Sequence, residues 1–434
     1  MKRKAGIAFL LMLFVVQVVF SNYQITDVLS VDQDQFEDNY VIRSYDATSP
    51  YDFFNESKHP RYPLVNRPFG MIHYPNKANP VIISYGENFT IIVNASSATS
   101  DWEFILTNES ITIDLDIINS EFKEDFWHFS VEPSLQIEGL YDMQLNCSSG
   151  EDYQTHAVNI VEEKEYPFTF LQVSDMHFPT YLGTNVNSTE VFFEELETIK
   201  TLDIDFVLCP GDLQQGPQWL FLNPEDGRPM SGESQLKLGL WALDLLNLPI
   251  YYIHGNHEFS QSTLVPDNLE DVWYKYLGPT RYQNFTYLDW SFLGFGSSFE
   301  GLTQKEIDSF KSIVKEECNK ANVLYYHSDF AYQATSIISQ FPIEIALFGH
   351  THQPNTNPTD YTVYHDAGAF FQGEYSILSV IDATTIEIGS QTFNFSPLKQ
   401  YTPDETTSYS FFVTLIPVLF IIPILTRKAK RKSS

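Results

Sequence analysis

The sequence predicts an α/β fold that is preceded by an all-β sandwich domain and followed by a single C-terminal transmembrane helix. Three observations predict this order. Short strand-like runs separated by Gly, Asn and Ser turns fill residues 66–164, and strands then alternate with helical periods over residues 165–396. An uncharged run with a basic cluster behind it occupies residues 409–434. The length of 434 residues is also too large for one hydrophobic core.

Residues 1–21 are predicted to be a secretory signal peptide. A basic stretch at residues 2–4 precedes an apolar run at residues 7–20, and Ser21 is a small residue suited to the position before cleavage. An uncleaved membrane anchor is the alternative for this pattern. Residues 22–65 are polar and lack periodicity, so we expect an extended leader or a segment that wraps around the next domain.

The region 66–164 is predicted to be a β-sandwich because seven short runs alternate along it with no helical period. No cluster of titratable side chains stands out there. We therefore expect a spacer or a substrate-presenting module without chemistry of its own.

Helices and strands alternate in the region 165–396. Helical periods at residues 191–202 and 237–248 each precede a buried strand, and a capping box at residue 303 predicts a helix to about residue 319. Hairpins are predicted at residues 282–298 and 375–390. The Gly/Pro-rich stretch 213–235 is predicted to be a specificity loop, with a surface insert as the alternative.

Five polar motifs each follow a run that is typical of a buried strand. They are Asp175-Met176-His177, Gly211-Asp212, Gly255-Asn256-His257-Glu258, His327 and Gly349-His350-Thr351-His352. Open α/β sheets bind their ligands at the carboxyl ends of their strands. Carboxylate, imidazole and carboxamide ligands suit Zn, Mn or Fe ions and require no thiolate. The motifs therefore predict a transition-metal site.

The order of these motifs resembles the calcineurin-like metallophosphoesterase superfamily across residues 166–395. The resemblance implies a four-layer α/β/β/α sandwich and hydrolysis of a phosphoester by a dinuclear metal centre and a bridging hydroxide. It implies two divalent or trivalent ions of Mn, Fe or Zn. By resemblance, the first ion is held by Asp175, His177, His352 and the bridging Asp212, and the second by Asp212, Asn256, His327 and His350. His257 would orient the phosphoryl group or protonate the leaving group, with Glu258 in support.

Other functions remain open beside this one. One is a phosphodiesterase that acts on lipid or nucleotide head groups, as sphingomyelinase-like members of the superfamily do. Another is a non-catalytic binding protein, although the complete ligand set and His257 argue against it. Purple acid phosphatases fit less well, because they use a Tyr-ligated iron and an altered first motif. His254, His365 and Asp329 lie near the motifs and are not assigned to metal.

The C-terminal part predicts a membrane anchor. A stalk at residues 397–408 leads to a transmembrane helix at 409–426 and a basic cytosolic tail at 427–434. A buried core helix is the alternative, because Pro417 and Pro423 weaken the helix. Eight N-x-S/T sequons lie between the two apolar runs, at Asn55, Asn88, Asn94, Asn108, Asn146, Asn187, Asn284 and Asn394. We expect a single-pass type I membrane protein of the secretory pathway lumen or the cell surface.

The net charge limits the class of partner, and the cysteine content limits the disulfide bonds. The net charge of −31 disfavours nucleic acid, and the expected partners are a phosphoester substrate and the membrane through the C-terminal helix. The three cysteines imply no disulfide framework. Nothing in the sequence sets the oligomeric state.

Overall fold

The structure, a computed structural model, describes residues 70–179, 188–216, 231–258, 269–278, 282–296, 308, 321–328, 343–359 and 362–394. The predicted signal peptide, leader, stalk, transmembrane helix and basic tail lie outside these residues. None of the helices in the described part is long and apolar enough to cross a membrane.

Eight strands form the N-terminal all-β domain. They are β1 Ile72–Tyr74, β2 Val81–Ser84, β3 Phe89–Val93, β4 Glu103–Thr107, β5 Thr112–Lys123, β6 Phe126–Pro133, β7 Gly139–Cys147 and β8 Gly150–Val161. The order of these strands is β1-β3-β6-β5-β4-β7-β8-β2. Strand β3 shows why they form, because Phe89, Ile91 and Val93 are buried while Thr90 between them is exposed.

The long strand β5 joins two layers of this domain. Its residues 112–114 pair with β4, and its residues 115–123 pair with β6. Apolar side chains from both layers meet in one core, where the rings of Phe104 on β4 and Phe129 on β6 lie 5.0 Å apart. The domain is therefore a sandwich of two layers that share one strand.

Two six-stranded sheets form the α/β domain. The first has the order β11-β10-β9-β18-β19-β20, with β9 Phe168–Gln172, β10 Phe206–Cys209, β11 Ile250–Tyr252, β18 Ser376–Asp382, β19 Thr385–Ile388 and β20 Gln391–Asn394. The second has the order β12-β13-β14-β15-β17-β16, with β12 Tyr282–Tyr287, β13 Trp290–Phe295, β14 Ala321–Tyr326, β15 Ile345–Phe348, β16 Asn355–Pro358 and β17 Val363–Asp366.

The two sheets pack face to face through an aromatic core. Phe292 of the second sheet lies 5.4 Å from Phe170 and 5.2 Å from Phe206 of the first, measured between ring centroids. The other face of the first sheet is covered by helices α1 Ser188–Ile199, α2 Gly232–Asp244 and α3 Leu269–Leu277. These elements make three layers in the order α/β/β. The helix predicted to 319, which would belong to the fourth layer, lies outside the described residues except for the helical Asp308.

Both predicted hairpins are present, as β12–β13 and β18–β19. Helix α2 differs from its prediction, because it begins at Gly232 rather than at residue 237. The reason is an N-cap, in which the Ser231 side chain accepts a hydrogen bond from the Ser234 N–H. The predicted loop 213–235 is therefore shorter than expected, and its central residues 217–230 lie outside the described part.

The β-sandwich packs directly on the α/β domain. The Ala78 carbonyl accepts a hydrogen bond of 2.9 Å from the N–H of Tyr252 on β11, the edge strand of the first sheet. Beside it, Lys77 forms an ion pair with Asp244 at the end of α2, with side chains 6% and 10% exposed. His156 on β8 lies 3.3 Å from the same carboxylate. An uncovered edge strand invites pairing with other chains, so the sandwich protects part of this edge.

Candidate metal centre

The five motifs meet where strands of both sheets end. Strands β9, β10 and β11 run parallel in the first sheet, and β14 and β15 run parallel in the second. Each motif begins within a few residues of the end of one of these strands. All nine predicted site residues are among the described residues, and the structure brings them into one cluster.

The first group contains the residues assigned to the first ion. Ligand atoms of Asp175, His177 and His352 all lie within 4.8 Å of one another. The Oδ1 atom of Asp175 is 3.2 Å from His352 Nε2 and 3.7 Å from His177 Nε2. Asp175 and His177 are fully buried, which leaves His352 nearest to solvent.

The second group contains Asp212, His327 and His350, whose ligand atoms also lie within 4.8 Å of one another. The Oδ1 atom of Asn256 lies 3.0 Å from His327 Nε2, which adds the predicted carboxamide to this group. The Oδ2 atom of Asp212 is 3.0 Å from His327 Nε2 and 3.8 Å from His177 Nε2. One carboxylate oxygen therefore faces both groups, as a bridging ligand must.

His327 shows that a cation fits between these side chains. Its Nδ1 lies 3.1 Å from the carbonyl oxygen of Pro210, which can only accept, so Nδ1 carries a hydrogen. The other ring nitrogen, Nε2, then points its lone pair at the oxygens of Asp212 and Asn256, which are also acceptors. Burial disfavours a charged His327, yet Asp212 and Asp175 raise its pKa to about 9. The two carboxylates therefore favour a positive charge at Nε2. Either a proton or a metal ion can supply that charge.

The contacts of Asp175 also indicate that a cation fits in this centre. Its Oδ2 accepts hydrogen bonds from the Ser174 hydroxyl at 2.7 Å and the His350 N–H at 2.8 Å. Its buried Oδ1 has no hydrogen bond of good geometry and faces imidazole nitrogens at 3.2–4.0 Å. Burial would raise the pKa of Asp175, but the His327 charge holds it well below the usual value. An ionised oxygen without a donor is a suitable metal ligand, so the residues present fit the ions that the motifs predict.

The backbone of the site is strained. Five of the seven predicted ligands have left-handed φ angles: Asp175 (54°), His177 (48°), Asp212 (55°), His350 (74°) and His352 (55°). Such conformations are sparsely populated by non-glycine residues and persist only where surrounding contacts fix them.

Two glycines let the motif loops approach one another closely. A Cβ atom on Gly255 would lie 2.2 Å from Asp212 Oδ1, and a Cβ atom on Gly349 would lie 1.9 Å from Ser174 Oγ, so a larger residue does not fit at either position.

His257 lies at the open side of the centre, and its side chain is 16% exposed. Its Nδ1 donates a hydrogen bond of 2.5 Å to the carbonyl oxygen of Gln215, so Nε2 is the nitrogen that faces the site. That Nε2 lies 3.9 Å from Asp212 Oδ2. His257 also groups with His177 and Asp212 within 4.8 Å, so the geometry is compatible with metal ligation as well as with substrate contact.

Glu258 contacts the backbone of the neighbouring motif loops. Its buried carboxylate accepts backbone N–H groups from Asp212 at 2.9 Å, Gly255 at 2.7 Å and Gln214 at 3.3 Å. Burial and the nearby Asp212 raise the pKa of Glu258 to about 7. These contacts tie the loop of the second motif to that of the third.

Several neighbours of the site were missed in the sequence. Ser174 and the carbonyls of Pro210 and Gln215 hold predicted site residues, while Phe371 packs its ring 5.0 Å from the His352 ring. Asp366, which accepts a hydrogen bond from the Thr351 hydroxyl, was also missed. Its position at the end of a strand-like VYHD run was the available signal.

The histidines left unassigned lie outside the two groups. His365 bonds to Thr356 at 2.9 Å and Ser376 at 2.7 Å, and burial lowers its pKa to about 4. His254 is buried with its ring 5.7 Å from that of Trp273. Asp329 lies outside the described residues.

Comparison with family models supports the family resemblance. A family model for calcineurin-like phosphoesterases matches residues 168–354. Among solved structures, a dimetal phosphatase from Danio rerio is similar, with 12% identity, a TM-score of 0.40, and 53% of this chain and 99% of that chain covered. GAP50, described as the anchor in the inner membrane complex of Plasmodium, is 10% identical, with a TM-score of 0.36 and coverage of 54% and 90%. No curated protein matches the sequence.

The matched segment contains every one of the nine site residues. The chain therefore contains a calcineurin-like phosphoesterase domain at residues 168–354.

Proposed function

We propose that this protein is a metal-dependent hydrolase of phosphoesters with a dinuclear centre. The Asp212 carboxylate carries this proposal, because its Oδ2 lies 3.0 Å from a nitrogen of one buried group and 3.8 Å from a nitrogen of the other. Two-metal phosphoesterases hold their ions about 3.5–4 Å apart, and a shared carboxylate sets that separation.

Seven side chains would hold the two ions. The residues proposed for the first ion are Asp175, His177, Asp212 and His352, and those for the second are Asp212, Asn256, His327 and His350. This mixture of oxygen and nitrogen ligands suits Mn, Fe or Zn. When bound, the ions supply an activated water and neutralise the charge of the phosphate.

His257 is the residue proposed to act on the substrate. The hydrogen bond from its Nδ1 to Gln215 fixes the ring, and the bond from its N–H to Asp212 Oδ1 at 2.8 Å fixes its backbone beside the centre. A protonated Nε2 can then donate to a phosphoryl oxygen or to the leaving group. Glu258 supports this arrangement by holding the Asp212 and Gly255 loops together.

We also propose that the domain faces the lumen of the secretory pathway or the cell exterior. Among the described sequons, the side chains of Asn88 and Asn94 are exposed and accessible to a glycan. Asn108 and Asn146 instead make hydrogen bonds within the sandwich. The sequons at Asn55 and Asn187 lie outside the described residues, and Asn394 is the last residue of β20.

The test combines elemental analysis of the purified full-length protein with hydrolysis assays on phosphomonoesters and phosphodiesters. We expect about two transition-metal ions per chain, by analogy with two-metal hydrolases, and turnover that is lost with a chelator and restored by metal. Asp212→Asn should lose both ions and turnover. The matched control is Asp203→Asn, the same substitution at an exposed position before β10.

The possible outcomes separate the candidate functions. A fully active protein without metal would refute the proposal. Two bound ions without turnover on any ester would favour the non-catalytic alternative. Turnover confined to diesters would identify a phosphodiesterase.

A further inference from the structure

We propose that Thr351 and Asp366 form a positioning pair that fixes both metal sites at once. In this pair, the buried Asp366 carboxylate holds the Thr351 hydroxyl, and Thr351 lies between two histidines assigned to different ions. The inference rests on the proposed function, because it requires that His350 and His352 are metal ligands.

The topology of the second sheet brings the pair together. Strands β15 and β17 run parallel, and their register places Phe348 opposite Asp366, the last residues of the two strands. The loop Gly349-His350-Thr351-His352 leaves β15 at this point and therefore starts beside Asp366. The carboxylate lies where it can contact the loop without being part of the five motifs.

Both oxygens of Asp366 are occupied by neighbouring loops. The Thr351 hydroxyl donates to Oδ2, and the Gly368 N–H donates to Oδ1 at 2.8 Å. Asp366 is 1% exposed, so water does not compete strongly for its oxygens. Hydrogen bonds to a buried charged acceptor are among the stronger ones in proteins.

The strain of the loop explains why such support is needed. His350 and His352 both have left-handed φ angles, of 74° and 55°, on either side of Thr351. The His350 N–H is held by Asp175 Oδ2 at 2.8 Å. The hydroxyl of Thr351 supplies a second attachment, at the middle of the strained segment. Without this hydrogen bond, the strained conformation that directs both imidazoles at the centre is less stabilised.

The pair predicts a particular pattern of metal loss. Because His352 is assigned to the first ion and His350 to the second, a loop released at Thr351 should weaken both ions in parallel. Removal of the His352 imidazole should instead weaken mainly the first ion. A substitution that lowers the affinity for both ions in parallel, at a residue that is not itself a ligand, indicates that this residue positions the ligands.

The experiment compares Thr351→Val, which removes the hydroxyl and keeps the shape, with Thr351→Ser, which keeps the hydroxyl. Ions retained per chain are measured in the full-length protein against rising chelator concentration. We expect Thr351→Val to reduce the affinity for both ions roughly 10- to 100-fold, the usual effect of losing support of a metal ligand. Thr351→Ser should stay close to the parent.

The matched control is Thr359→Val. Thr359 follows β16, at the opposite end of the β16–β17 pair from Asp366, and its hydroxyl donates to the Thr362 carbonyl at 2.8 Å. This variant should retain both ions as the parent does. Unfolding temperatures of the metal-free proteins, which should be similar for the two valine variants, separate positioning from a general loss of stability.

Three results with the Thr351 variants would refute the proposed positioning role. Thr351→Val could retain both ions like the parent, or lose only one of them. Thr351→Ser could also lose as much as Thr351→Val, which would assign the effect to size rather than to the hydroxyl. A parent protein that binds no metal would refute the proposed function and this inference with it, whereas a parent with two ions and an unaffected Thr351→Val would refute the inference alone.

Discussion

Asp244→Asn is expected to weaken the contact between the two domains by removing the charge that Lys77 and His156 share. Burial raises the pKa of Asp244, but Lys77 and His156 outweigh it and lower the pKa from 3.8 to about 2. A pKa difference of this size between the unfolded and folded states corresponds to about 2 kcal/mol of folding stability at neutral pH. Asn cannot carry the charge, so at least this amount should be lost. The loss should approach about 3–5 kcal/mol if Lys77 stays buried without a partner.

The pH dependence gives this prediction a definite sign. Asp244 has a lower pKa in the folded protein than in the unfolded one, so its contribution is fully present above about pH 4 and is lost as the pH falls through about 2. The free energies of unfolding of parent and variant should therefore differ most at pH 7. At pH 3 the charge-dependent part should be roughly halved.

The assay is urea unfolding of the full-length parent and variant at both pH values. The control is Glu197→Gln on α1, which removes one partner of an exposed ion pair with Lys200. This change should alter stability by less than about 0.5 kcal/mol. Replacing both partners, in Lys77→Met with Asp244→Leu, should be less destabilising than Asp244→Asn alone. Equal stability of parent and Asp244→Asn at pH 7, or a difference that does not change with pH, would refute the reasoning.

Three further predictions concern the centre and the topology. His257→Ala should leave the metal content nearly unchanged and lower turnover by roughly 10²- to 10⁴-fold, with the larger loss for alkoxide leaving groups than for nitrophenolate if His257 protonates the leaving oxygen. Loss of an ion in this variant would instead make His257 a ligand, and unchanged turnover on every ester would exclude both roles. His352→Ala should remove mainly one ion in elemental analysis, and equal loss of both would contradict the assigned division of ligands. Protease added outside sealed vesicles should leave residues 22–408 protected on the glycan-bearing side and cleave the tail at 427–434. Recovery in the cytosol without glycan at any sequon would contradict the predicted membrane topology.

The candidate ligands could be predicted from the sequence because each follows its strand directly. Buried runs such as FTFLQVS and EIALF are local signals, and parallel strands end at a common edge of their sheet. The order of the motifs then carried the family resemblance, which the match to residues 168–354 confirms. The structure adds the distances, of which those at Asp212 Oδ2 matter most.

The contacts that support the ligands could not be predicted, because they join residues far apart in the chain. Asp366 meets Thr351 only through the register of β15 and β17, and Glu258 meets the Asp212 N–H across two loops. The ion pair of Lys77 with Asp244 across the domain boundary likewise joins residues far apart in the chain.

Local patterns in the sequence were enough to predict the kinds of domain and the chemical types of side chain at the centre. Both depend on local patterns, since strand periodicity, helix capping and short polar motifs are properties of neighbouring residues. The tertiary structure alone decided which oxygen of Asp175 lacks a donor, which nitrogen of His257 faces the site and what holds the strained His350 and His352 backbone. These features arise from burial and from the approach of separate strand ends, and both depend on how the two sheets pack rather than on any single segment.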